Sequence, residues 1–322
     1  MLTKSSNYTF LANHVALLCA VIAVVITSFL YPANSIAQAT RSESEEATQE
    51  IKIDAREQLY VYQLNWVRQD PARYQKLFKI PVDLSKVEPR QPLAINYSLM
   101  QSAKFRASEM AENNYFGHQS SVTRKWPNEI ARSFGYELPK NFGDKTNAIE
   151  SIDAGTWVRN SSDSLARLII DKGFEKNPGH RHHLLGVTDF YSKCNEIGVG
   201  YARNKRSSLG HYWTIHATWS DPGATFLTGV VFNDKNKNTA YELREGLAGI
   251  PIQVDGQVVA KSNSAGGWVT RVEPGVHTVK IAQQESFPEI EVTVEVAQQN
   301  IQVDFLSAGT AYVNFDLVAK DD

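Results

Sequence analysis

Leu99 to His118 reads LMQSAKFRASEMAENNYFGH, and the fold turns on this stretch. Leu99, Ala103, Ala107 and Met110 stand at i, i+4, i+8 and i+11, which is one face of a helix. The small residues on that face predict close packing against another element. Asn113-Asn114 predicts the end of the helix, because asparagine tolerates the left-handed conformation of a helix terminus. Tyr115-Phe116-Gly117-His118 follows at once, so a histidine stands just past the helix end.

Working outward, Leu59, Tyr62, Trp66 and Val67 fall at helical spacings within 51–78, and Pro71 after Asp70 starts a new turn there. Pro81, Pro89 and Pro92 make 81–92 a loop. Further helices are predicted over 129–134, stopped by Gly135, and over 162–174, with Leu165, Leu168 and Ile169 as the stripe. Beyond Gly179 the pattern changes: Ile197–Tyr201 and Tyr212–Trp219 read as two strands joined by the polar turn 204–210. Helices first and paired strands later, without βαβ alternation, predict α+β packing. Asp221-Pro222-Gly223 marks a turn and a domain boundary. After it come seven short apolar runs separated by turns: 227–232, 250–254, 268–272, 276–281, 290–296, 301–305 and 311–317. That spacing predicts an all-β sandwich.

With 322 residues there is room for two ordinary domains, and 42% apolar with 21% charged residues excludes wholesale disorder. A net charge of −2 with no basic stripe argues against a nucleic-acid partner. Lys4, the uncharged run Val15–Leu30 and then Ala37-Gln38-Ala39 read as an export leader cleaved before Thr40. The run is also close to the length of a membrane anchor, and a membrane association follows only if it is retained. Either way the bulk of the chain is expected outside the cytoplasm, secreted or at the cell surface or periplasm. Residues 40–54 form a polar, acidic linker. The only cysteines are Cys19 in the leader and Cys194, so the mature chain has no internal disulfide, and Cys194 reads as a buried apolar filler.

Four regions of the middle stretch carry groups that could do chemistry: His118, Glu129, Glu150, and His180 within Asn177-Pro178-Gly179-His180-Arg181-His182-His183. Two imidazoles and two carboxylates make a plausible zinc set, since neutral imidazole binds zinc and a carboxylate can ligate or orient a histidine. The same set could serve as general acid and base. These residues are far apart in sequence, so spacing leaves both a shared site and separate structural roles open.

The order of the pieces resembles the bacterial branch of the CAP (SCP-like) superfamily, named for cysteine-rich secretory proteins, antigen 5 and pathogenesis-related proteins. Gln58-Leu59 with Asn65, Arg68 and Pro71-Ala72-Arg73-Tyr74 resembles the opening helix, and Pro92-Leu93-Ala94 through Tyr115-Phe116-Gly117-His118 the second. Arg132-Ser133-Phe134-Gly135-Tyr136, Glu150-Ser151-Ile152, Pro178-Gly179-His180-Arg181 and Ile197-Gly198-Val199-Gly200 follow in the family's order. The match runs over about 57–221. The resemblance implies a three-layer α–β–α sandwich at 55–222 and a cleft formed by His118, Glu150 and His180, with Glu129 in the fourth position. Ser151 stands where the family has Asn, 171–176 is an insertion, and the cysteines of eukaryotic members are absent. Gly210-His211-Tyr212 resembles a family signature too, but it follows the Ile197–Gly200 strand, so order assigns His180 to the cleft and His211 to a strand start. His182, His183 and His216 are expected to be surface or strand residues.

In the β-sandwich domain (226–322), Asp234, Asn236, Asn238 and Glu245 occupy positions 1, 3, 5 and 12 of an EF-type calcium loop, with Thr239 where glycine belongs. Gly229–Asp234 and Glu245–Ile250 also resemble the B-type repeats of bacterial surface adhesins, which are calcium-binding β-sandwiches; an ordinary polar hairpin is the alternative. Two functions follow. One is a secreted or surface-exposed protein holding a divalent metal or small ligand in the His/Glu cleft, with a cell-surface component or small molecule as partner and the β-domain for attachment or spacing. The other is a zinc-dependent extracellular hydrolase using the same His/Glu set. No G-x-S-x-G, H-E-x-x-H or Cys/His nucleophile signature supports the second.

Overall fold

The computed structural model describes residues 52–174, 176–220, 224–284 and 287–318. The expected leader, Cys19, the linker up to residue 51 and the Asp221-Pro222-Gly223 turn lie outside the described residues. The described residues all fall in one compact unit.

Helix α1 (Ala55–Gln69) starts at a capping box: the Asp54 side chain accepts from the Arg56 N–H while Glu57 answers the Asp54 N–H at 2.9 Å. Asp70 closes α1 and also caps α2 (Pro71–Phe78), whose first position holds the proline that needs no N–H partner. Asn96 caps α3 (Tyr97–Glu112), and Asn114 just beyond it takes φ 50°, the left-handed ending expected there. Helices α4 (Pro127–Ser133), α5 (Ser161–Ile170) and α6 (Gly179–Leu184) follow in this lobe, with a short 3-10 turn at Tyr191–Lys193.

Its sheet has the order β1-β3-β4-β2, from β1 (Ala94–Ile95), β2 (Glu150–Ala154), β3 (Glu196–Arg203) and β4 (His211–Thr218). Only β1 and β3 are parallel. Alternation sorts the two faces. Gly198 and Gly200 turn toward α3, and a Cβ on them would come within 2.1 Å of the Leu99 carbonyl carbon and 2.2 Å of the Ala103 carbonyl oxygen. The small-residue face of α3 therefore meets a glycine strip, the close approach anticipated from the sequence. Ile197, Val199, Trp213 and Ile215, on the opposite face, share a core with Tyr60 and Leu64 of α1 and Leu165, Leu168 and Ile169 of α5. Cys194 is buried and reduced, its thiol pushed up to about 12 by burial.

The second lobe holds nine strands among the described residues: β5 (Thr225–Phe232), β6 (Pro251–Val254), β7 (Gln257–Lys261), β8 (Gly267–Val272), β9 (Gly275–Ile281), β10 (Ile290–Val296), β11 (Ile301–Leu306), β12 (Thr310–Val313) and β13 (Asp316–Val318). They form two sheets, β10-β9-β6-β7 and β13-β12-β11-β5-β8, over one core that includes Ile252, Ile281 and Val294 from the first and Leu227, Trp268 and Phe305 from the second. Two strands exceed the sequence reading. β7 carries its valines outward, so no buried apolar alternation marks it. The 311–317 run divides because Asn314 and Phe315 take φ 49° and 66°, which turns the Phe315 ring to stack on Trp66 at 5.6 Å.

The lobes are joined by polar and apolar contacts. Leu59 and Tyr62 of α1 pack with Val230, Phe232, Tyr241 and Leu306. Asn65 donates to the Gln302 side chain at 3.0 Å, and Asn300 donates to the carbonyls of Pro92 and Asn195 at 2.9 and 2.7 Å.

Candidate functional site

Glu150 opens β2 and pairs in register with His216 of β4. Alternation places its side chain on the α3 face, where it is completely buried. A lone buried carboxylate would be protonated or very costly; here each oxygen is satisfied. Oε1 accepts from His118 Nδ1 at 2.9 Å, and Oε2 accepts from Arg106 Nε and His216 Nε2, each at 3.1 Å. Burial alone would raise its pKa, but the bonds from His118 and His216 and the Arg106 charge outweigh that and hold it well below the usual carboxylate range.

The network continues through α3. His216 meets the Ser102 hydroxyl through Nδ1 at 2.8 Å. Arg106 also bonds Glu109 at 2.8 Å and the Tyr115 hydroxyl at 2.6 Å, and donates to the carbonyls of Gly117 and His118 at 2.6 and 2.9 Å. The Tyr115 hydroxyl closes a further contact with Glu109, and Ser120 donates to Glu109 at 2.7 Å. One buried guanidinium thus fixes both the carboxylate and the loop that presents His118. Asn147 adds a third tie, donating to the Glu150 carbonyl and accepting from its N–H.

His180 stands in the first turn of α6. The expected helix over 162–174 ends earlier, at Ile170, because Asp171 takes the left-handed conformation as its cap. From there the Asp171 carboxylate accepts from His180 Nδ1 at 2.8 Å and from the His180 N–H at 3.0 Å. His118, Asn147, Glu150, Asp171 and His180 line one cavity of about 320 Å³. A neighbouring cavity of about 370 Å³ shares Asp171, Phe174 and His180 with it and adds Phe116, Ile152, Asp153 and Arg167. Phe116 and Phe174 are strongly exposed, which gives the cleft an apolar rim.

Three of the four cleft residues expected from sequence order therefore share a cavity. Glu129 is half-buried in the first turn of α4 and is not among the residues lining it. His118 and His180 each have Nδ1 tied to a carboxylate, and among the described residues neither Nε2 has a hydrogen-bond partner. At His180 the Asp171 carboxylate selects the tautomer with a free Nε2 lone pair; at His118 Nδ1 faces both the Glu150 carboxylate at 2.9 Å and the Asn147 amide nitrogen at 3.1 Å. Glu150 has no such freedom, and among the described residues no group of three His, Cys, Asp or Glu is disposed to hold a metal ion.

Sequence reasoning missed Arg106 and His216. Arg106 stands seven residues after Leu99, on the inward side of α3, and a charge on an apolar face is the signal that could have found it. His216 is a strand residue as expected, but completely buried against Glu150. His183 is likewise buried: it donates from Nε2 to the Ala217 carbonyl at 2.9 Å, meets Ser151 through Nδ1 at 2.7 Å, and is pushed down to about 4 by burial. Ser151 thus anchors α6 to the sheet. His211 starts β4, where Nδ1 meets the Tyr201 hydroxyl at 2.7 Å, away from this cavity.

In the second lobe the oxygens of the 234–245 loop are already engaged by the loop itself. Asp234 accepts from the N–H groups of Asn238 and Thr239 at 3.0 and 2.8 Å, and Glu245 from those of Lys235 and Glu242 at 3.0 and 2.9 Å. Thr239 adopts φ 64°, the conformation that glycine takes more easily.

No family model matches the chain, and no curated protein matches it. Solved structures of SCP- and CAP-domain proteins are among its structural neighbours. An extracellular protein from Bacillus anthracis containing an SCP domain matches at 18% identity and TM-score 0.29, over 40% of this chain and 35% of that one, about a third of its length. The CAP domain of enterococcal PrgA matches at 15% identity and TM-score 0.31, over 68% and 86%. An outer surface protein from Borrelia burgdorferi matches at 13% identity and TM-score 0.29, over 48% and 92%.

Proposed function

We propose that this chain is an exported CAP-type protein whose His118/His180 cleft binds a small ligand or a divalent metal, with the β-lobe braced against it as a spacer or attachment module. The observation that carries the reading is the pair of imidazoles lining one cavity, each with Nδ1 held by a carboxylate and Nε2 without a protein partner. Zinc suits the donor chemistry, because neutral imidazole held by an outer carboxylate is a good ligand. With Glu150 saturated, the protein would supply two ligands, and water or a bound molecule would supply the rest. Export rests on the uncharged run and the Ala37-Gln38-Ala39 motif.

The test is a zinc titration of protein recovered outside its host, with an intact mass that begins at Thr40. His118→Ala or His180→Ala should weaken zinc binding more than tenfold, about 1.4 kcal/mol, and His211→Ala should change it little. Equal loss from His211→Ala would overturn the assignment. Zinc-dependent turnover of peptide or ester that disappears in His118→Ala would replace this reading with a hydrolytic one.

A further inference from the structure

A third concavity, of about 740 Å³, lies where β3 and β4 meet their connecting turn, lined by Arg56, Arg159, Arg203 and Lys205 around Tyr201 and His211. It stands at the far end of β4 from the Glu150 network. His211 and His216 are five positions apart along the strand, about 17 Å.

Its charge is one-sided. No aspartate or glutamate lines it. Asp54 reaches Arg56 at 3.5 Å, in an exposed pair worth little. Arg159 donates from Nε to the Thr156 carbonyl at 2.8 Å. Among the described residues neither Arg203 nor Lys205 has a carboxylate partner, although the chain as a whole is slightly acidic. Four cations gathered in one hollow repel each other, and a bound anion removes that cost. The centre is ordered: the Tyr201 hydroxyl bonds His211 Nδ1, the two rings lie 28° from parallel, and Arg56 sits over the Tyr201 ring at 5.4 Å. The local field is felt at His211, whose pKa is lowered by burial and then by Arg203, Arg159 and Arg56.

We propose that this hollow is an anion-binding site for a group carrying two or more adjacent phosphate charges, held by the guanidinium groups of Arg159 and Arg203 with Lys205 and Arg56 beside them. Planar guanidinium forks match tetrahedral oxyanions in pairs, and a doubly charged ligand gains most from several cations at once. The site is independent of the His118/His180 cleft and of any metal held there. The phosphates could come from a soluble compound or from a lipid headgroup, and two probes separate these sources.

Inorganic pyrophosphate is titrated into the full chain by calorimetry at low salt. Vesicles containing phosphatidic acid are tested by co-sedimentation. Arg159→Glu and Arg203→Glu are exposed-surface changes, and melting temperature checks that each variant is folded. Lys76→Glu, on the exposed face of α2, makes the same change in net charge elsewhere. The expected result is saturable binding that weakens at least tenfold in Arg159→Glu and Arg203→Glu, falls as salt rises, and is retained by Lys76→Glu. Pyrophosphate binding identifies a soluble source, and vesicle binding alone, lost in the same variants, identifies a headgroup. Absence of binding to both probes, or an equal loss from Lys76→Glu, would overturn the proposal.

Discussion

Replacing Glu150 with glutamine tests whether one buried carboxylate holds the cleft together. The substitution keeps the shape and removes the charge. Three donors converge on Glu150, from His118, His216 and Arg106, at 2.9, 3.1 and 3.1 Å. A glutamine amide offers one acceptor oxygen, and its NH₂ would face a donor. Breaking a buried ion pair by changing one partner costs about 3–5 kcal/mol, because the other charge stays buried. Arg106 keeps its bond to Glu109, so the low end applies. A loss of about 3 kcal/mol would lower the melting temperature of a unit this size by roughly 6–12 °C. Urea denaturation at pH 7 measures it, and a loss below about 1 kcal/mol would refute the reasoning. The pH dependence gives an independent sign. The folded carboxyl lies below its ordinary 4.5, so its contribution is fully present above about pH 4.5 and fades as pH falls. The gap between wild type and Glu150→Gln should therefore hold steady from pH 8 to 5 and narrow in acid. A gap that widens in acid would also refute it. Combined with Arg106→Gln, the double variant should lose less than the sum of the singles, since the two side chains share one interaction.

Two further outcomes concern the second lobe. Among the described residues Asp304 has no cationic partner; it is buried, accepts from the Val230 N–H and the Gln302 amide, and is pushed up to about 7 by burial. A raised acid pKa means stability that is full below the unfolded value and lost as pH climbs through the folded one. Relative to wild type, Asp304→Asn should gain about 3–4 kcal/mol between pH 4 and pH 8, and a pH-independent difference would contradict this. For the 234–245 loop, two carboxylates and two amides around Thr239 fit weak calcium binding, on the order of 0.1–1 mM. Calcium at tenfold excess over Kd should then stabilise the full chain by about 1.4 kcal/mol, with little effect of magnesium and none in Asp234→Ala. Identical melting in calcium and in chelator would make the loop a self-bonded polar turn.

The parts of the fold visible in the sequence were those with periodic apolar faces. Leu99, Ala103, Ala107 and Met110 marked α3, and Ile197–Tyr201 marked β3, because burial there is a one-dimensional pattern. β2 escaped notice for the opposite reason: Glu-Ser-Ile-Asp-Ala buries polar side chains on both faces and shows no apolar alternation. Each of its polar residues has a tertiary partner, Glu150 with Arg106, Ser151 with His183 and Asp153 with Arg167. Those partners lie 44, 32 and 14 residues away, beyond any local pattern. The helix expected to reach residue 174 stopped at Asp171 for a similar reason, since its carboxylate is engaged with His180. Only motif order pointed to His118, Glu150 and His180, which line one cavity in the structure. It did not point to the guanidinium and imidazole that hold Glu150 in place.

The ring nitrogens separate histidines fully engaged inside the fold from those with one nitrogen left without a partner among the described residues. His183 and His216 have both nitrogens engaged inside the protein, as buried polar groups must. His118, His180 and His211 each engage only Nδ1, so by hydrogen bonding alone all three are equivalent. Their surroundings distinguish them. The partners of His118 and His180 are carboxylates, whose negative charge favours a cation in front of the free nitrogen. The partner of His211 is a phenol, and Arg203, Arg159 and Arg56 stand around it. A metal ion brought to His211 would meet those positive charges, whereas an anion brought to the His118/His180 cleft would meet Asp171 and Glu150. On the two proposals made above, the two hollows would take ligands of opposite sign. If zinc binding proved insensitive to His118 and His180, or pyrophosphate binding insensitive to Arg159 and Arg203, charge would not be what distinguishes them.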